Sequence, residues 1–130
     1  MAGILVIKKE GMNMSKVNDL VVYRQGDVAF IKVDADGVKL GEPIPRDKGR
    51  VILAFGEVTG HHHAISDKNV NFFKAVDPKD VALGSRFLQV NDSSALLTHD
   101  EHGSIELPVG TYEVRIQREY TPQGLRNVAD

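Results

Sequence analysis

Residues Leu20–Asp34, LVVYRQGDVAFIKVD, decide how the rest of the chain is read. Two short runs, Leu20–Arg24 and Asp27–Asp34, flank Gln25-Gly26 and are dominated by valine, tyrosine, phenylalanine and isoleucine. Such side chains suit a pleated, half-buried surface, and a glycine between two of these runs reads as a turn between strands. The pattern then repeats. Arg50–Phe55, the HHHAI run ending at Ile65, Val70–Val76, Arg86–Val90, Ala95–Thr98, Ser104–Leu107 and Thr111–Tyr120 are all short, apolar and bounded by turn residues. No segment keeps a 3.6-residue period. Many short strands between frequent turns point to an all-β fold, a single small barrel or jelly roll.

The joining segments carry their own signals. DADG, Asp34–Gly37, reads as a hairpin turn, with Gly37 free to take positive φ. Gly41–Gly49 is rich in proline and glycine and reads as loop or edge strand, or as a lid over a barrel mouth. DPKDVALGS, Asp77–Ser85, fits one helical turn opened by Pro78. Residues 1–19 read as an N-terminal extension, disordered apart from the strand-like Ile4–Ile7. The β domain is expected over 20–121, with a polar tail at 122–130.

Composition narrows the function classes. At 130 residues the chain can bury a core without disulfide staples, and it has no cysteine to make them. That also removes thiolate catalysis and cysteine-ligated zinc. A formal charge of −2, with basic residues scattered rather than interleaved with aromatics, argues against nucleic acid as a partner. No apolar run is long enough for a membrane span or an export signal, so we expect a cytoplasmic protein. Open strand edges leave a homo-oligomer as an option. There is no GxSxG elbow, P-loop, dinucleotide fingerprint or HExxH helix.

Chemistry is expected where two histidine stretches meet. GEVTGHHHAISD, Gly56–Asp67, holds three of the five histidines, and THDEHG holds His99 and His102. On a strand, residues two apart share a face, so His61 and His63 would present two imidazoles to one point while His62 turns away. Neutral imidazole is the commonest protein ligand for divalent transition metals. We therefore expect one metal, zinc before iron or nickel, on His61, His63, His99 and His102. Four ligands would close a tetrahedral structural site, whereas three would leave a position for water, whose pKa zinc lowers to about 7. Glu101, between His99 and His102, is the candidate base or an alternative ligand, and Glu57 has the same two readings. Arg118 is the candidate for holding an anion, because it shares parity with Tyr112, Val114 and Ile116.

Two motifs resemble those of the cupin family of small metal-holding β-barrels. Gly56-x4-His61-x-His63-x3-Asp67 is similar to the first cupin motif, one residue short and with aspartate for glutamate. Gly103-x4-Pro108-x-Gly110-x2-Glu113-x3-Gln117 is similar to the second, also one short, with Glu113 where the family has a histidine. The resemblance covers residues 50–120 and implies a different ligand set, His61, His63, Asp67 and Glu113. We prefer the four histidines, which need no substitution to ligate. The chain also looks like small uncharacterised proteins of phage and bacterial genomes, a likeness that implies no activity.

These readings lead to a metal-dependent enzyme as the first expectation. Metal-bound water would hydrate or hydrolyse a small carbonyl-type substrate such as CO2, or an open iron site would activate dioxygen. The alternative is a non-catalytic module stabilised by its metal, of phage origin.

Overall fold

The computed structural model describes residues 2–8, 19–54, 62–100, 102–116, 120–121 and 124–127. The fold is all-β, as the strand pattern implies, with one short helix. Strands β1 (Ala2–Lys8), β2 (Asp19–Gln25), β3 (Val28–Val33), β4 (Leu40–Pro43) and β5 (Val51–Ala54) come first. They are followed by β6 (His63–Ile65), β7 (Val70–Ala75), helix α1 (Pro78–Ala82), β8 (Arg86–Val90) and β9 (Ala95–Thr98). The series ends with β10 (Ile105–Leu107), β11 (Gly110–Ile116), β12 (Tyr120–Thr121) and β13 (Gly124–Asn127).

A seven-stranded sheet in the order β1-β2-β3-β11-β8-β7-β4 packs against a four-stranded sheet in the order β10-β9-β6-β5. All pairings are antiparallel. In the large sheet, Tyr23, Phe30, Val114, Tyr112, Leu88, Val90, Val70 and Phe72 alternate onto the inner face and meet Val51, Leu53, Ile65, Leu97 and Leu107 of the small sheet. This apolar layer supplies most of the drive to fold. The Tyr112 hydroxyl, carried into the layer, donates to the Pro108 carbonyl at 2.6 Å. The opposite parity of the large sheet, with Ala29, Phe87, Thr111 and Glu113, is buried as well.

Local chemistry explains the junctions. Gln25 pairs with Val28, so Gly26-Asp27 is a two-residue hairpin loop, and Gly26 takes φ +60° as its first position requires. In the helix, the Asp77 side chain accepts from the Lys79 amide at 3.1 Å and Pro78 opens the first turn, as the sequence suggests.

One expectation about the joining segments is corrected, and two others resolve to one of their alternatives. DADG closes no hairpin. Ala35–Gly37 is a 3-10 turn capped by Asp34, and the free edge of β3 is taken by β11, not by the next strand. Gly37 is not among the glycines at positive φ. Gly41–Gly49 takes the edge-strand alternative. It supplies edge strand β4 and a bridge between Asp47 and Arg50, and Arg46 fastens it to the carbonyls of Gly49, Asp67 and Val70. In the N-terminal extension the strand-like Ile4–Ile7 is indeed a strand, part of β1, aligned with β2 from Ala2↔Gln25 to Lys8↔Asp19.

Candidate metal centre

One end of the sandwich gathers histidines from separate stretches. β6 begins at His63 and runs beside β9, with Ala64 opposite Thr98 and Ile65 opposite Leu97. One step further along this register, His63 faces His99 at the start of the β9–β10 loop, and His102 follows within that loop. The three rings meet under the β2–β3 turn. Centroids of His63 and His99 are 4.3 Å apart, those of His99 and His102 4.5 Å, and those of His63 and His102 6.0 Å.

Gln25 organises this group. Its strand parity places it on the inner face with Tyr23, and it is fully buried. Its amide nitrogen donates to the carbonyls of Leu97 at 3.2 Å and Gly103 at 2.9 Å. Two carbonyl acceptors fix which end of the amide is NH2, so its oxygen is the acceptor facing His63 Nδ1 at 2.9 Å. His63 therefore carries its proton on Nδ1 and presents the Nε2 lone pair outward. A partner on one ring nitrogen that sets the tautomer at the other is the usual support of a ligating histidine.

Electrostatics keep His63 neutral. Burial, reinforced by the neighbouring His99, lowers its pKa from 6.5 to about 4, and Asp27 only partly opposes this. The Asp27 carboxylate stands 3.9 Å from Nε2, at the half-exposed rim. His99 accepts the His102 backbone amide on Nδ1 at 3.2 Å, which tightens the loop. Gly26 fits the turn closely over the rings. A Cβ there would come 2.7 Å from His102 Nε2 and 3.3 Å from His63 Cε1.

The structure thus brings His63, His99 and His102 together. His61, Glu101 and Arg118 lie outside the described residues, as does Glu57. His62 precedes β6 and is half-buried. The two carboxylates that the cupin resemblance implies are placed elsewhere. Asp67 lies beyond the far end of β6 from His63, where its carboxylate accepts the Leu96 amide at 3.3 Å. Glu113 lies on the outer face of the large sheet, held by Ser85 at 2.6 Å and Arg115 at 2.7 Å. Among the described residues, no three histidine, aspartate or glutamate side chains aim their donor atoms at one metal-sized point. Nor is any helix among them long and apolar enough to cross a membrane.

Sequence reasoning missed Gln25, Asp27 and Arg86. Arg86 enters the inner face from β8, lies over the Phe72 ring at 4.9 Å, and donates to the Leu53 carbonyl at 2.6 Å. The parity of Gln25 with Tyr23 was a readable signal, because it puts an amide on an apolar face.

Against known proteins, the sequence profile of one family, described as a domain of unknown function (DUF8820), matches residues 24–117, and the chain belongs to that family. No curated protein and no solved structure matches the chain.

Proposed function

We propose that this member of the DUF8820 family binds one divalent transition metal, zinc first, through His63, His99 and His102, with His61 as the candidate fourth ligand. The observation that carries the reading is the convergence of three imidazoles from β6 and the β9–β10 loop at centroid spacings of 4.3–6.0 Å. Imidazoles bound tetrahedrally to zinc through nitrogens at about 2.0–2.1 Å have centroids roughly 5 Å apart, close to this spacing, and the rings would have to turn to aim their nitrogens at one point. The neutral state and fixed tautomer of His63 support the same reading. A divalent metal there would supply a Lewis acid, fitted with an activated water to hydration or hydrolysis of a small carbonyl-type substrate.

The test is elemental analysis of untagged protein purified without chelators or nickel resin, followed by zinc titration. About one equivalent per chain is expected. His63→Ala and His102→Ala should lose it, and His62→Ala should keep it. Absence of metal, with none taken up on titration, refutes the proposal.

A second reading is favoured by the bond from the His102 amide to His99 Nδ1. It makes the cluster a hydrogen-bonded closure of the sandwich end without a metal, a structural module. Chelation would then leave the melting temperature unchanged.

A further inference from the structure

Among the described residues, Arg86, a cation on the inner face, meets one hydrogen-bond acceptor and one aromatic ring. Of its five N–H donors, one bonds the Leu53 carbonyl, and its flat face is taken up by Phe72. Among the described residues no carboxylate lies within ion-pair distance of it. A guanidinium withdrawn from water without an anion is costly, and partial burial here disfavours its charged form. The ring of Phe72 behind it and the Leu53 carbonyl at one edge hold the plane of the guanidinium in place.

Its position matters as much as its chemistry. Leu53 is followed by Ala54, which pairs with His63 across the β5–β6 ladder. Leu53 itself is the bulged residue between the pairs Ile52↔Ala64 and Ala54↔His63, so the anchor of Arg86 is one residue along β5 from the position opposite His63. Both lie at the end of the sandwich where the histidines gather.

We infer that Arg86 is the anion-binding residue of this site, and that the ligand is a small molecule bearing a carboxylate or phosphate group. A planar fork with two parallel donors matches either oxyanion bidentately. The inference rests on the proposed metal centre only for placing the ligand's other end beside the histidines. Anion capture by Arg86 itself needs no metal.

The experiment is a titration of 15N-labelled protein with acetate and, separately, inorganic phosphate, against chloride at matched ionic strength. It is run as purified and again after chelation. Saturable shifts at the Arg86 Nε–H signal and at the Leu53 and Phe72 amides are expected in both states, with acetate alone marking a carboxylate ligand and phosphate alone a phosphate. Arg86→Gln, which keeps a donor for Leu53, should weaken binding about tenfold or more. Arg86→Lys, which keeps the charge without the fork, should fall between and serves if the glutamine variant does not fold. No saturable change at Arg86 with either anion, or equal binding by the variants, overturns the inference. Because the chelated arm is metal-free, its result stands whether or not a metal is found.

Discussion

The Gln25 side-chain oxygen accepts the Nδ1 proton of His63 at 2.9 Å, and the amide nitrogen of the same glutamine holds Leu97 and Gly103, which bracket the loop bearing His99 and His102. One buried side chain therefore sets both the tautomer of one histidine and the position of the other two. Gln25→Ala takes this partner from the His63 donor and the Leu97 carbonyl in a buried place, and from the Gly103 carbonyl nearer the surface, at a cost of about 2–4 kcal/mol. Urea unfolding should show it as a lower midpoint with an unchanged slope. Ring 15N spectra of the parent should show His63 protonated on Nδ1. An Nε2-protonated ring would sink the tautomer argument.

The depressed pKa of His63 makes stability depend on pH in a definite direction. With a folded value of about 4 against 6.5, the unfolded chain binds a proton here in a range where the folded chain does not. Stability is therefore complete above about 6.5, declines as pH falls, and has lost this contribution below about 4, the total being on the order of 3 kcal/mol. Chelator-treated protein unfolded in urea at several pH values measures it. His63→Gln should flatten the profile, and identical profiles for variant and parent would refute the assignment.

Gly26 carries two demands at once. Its φ of +60° suits glycine, and the space above it is filled by His102 and His63. Gly26→Ala should cost about 1–3 kcal/mol. It should also displace His102, so zinc affinity falls together with stability. A variant that loses stability while binding zinc as tightly as the parent would show that the turn does not position the ring.

Strands were legible wherever their own residues declared them, and pairing partners were not. Val28–Val33 reads as a strand from its valine, phenylalanine and isoleucine alone. That its outer neighbour is β11, some eighty positions away, depends on long-range packing that no local signal reports. The DADG reading failed for that reason. β4 was legible only as one of two alternatives, because Gly41 and Pro43 suit a loop as well as an edge strand. Yet Gly41 is where β4 presses on β7, since a Cβ would come 2.6 Å from the Lys74 carbonyl. At the site, histidine spacing was enough to bring His63, His99 and His102 into one group. Arg86 was invisible because its role depends on which way a strand faces and on Phe72 beneath it.

Glu113 separates the two ligand sets. Matched by position to the cupin motif it would be a metal ligand, whereas the geometry gives it Ser85 and Arg115 as partners on the far side of the large sheet. Its burial makes those bonds matter. Glu113→Gln removes the charge facing Arg115 while keeping an acceptor for Ser85, so it should destabilise the protein by about 1–3 kcal/mol. Metal occupancy should stay at the parent level, because none of its contacts reaches the histidine end. Asp67→Asn should behave likewise, loosening the start of β9 without touching metal content. Elemental analysis of both variants beside His102→Ala decides the matter. If Glu113→Gln loses metal and His102→Ala retains it, the carboxylate set is correct and the histidine cluster is a structural closure of the sandwich.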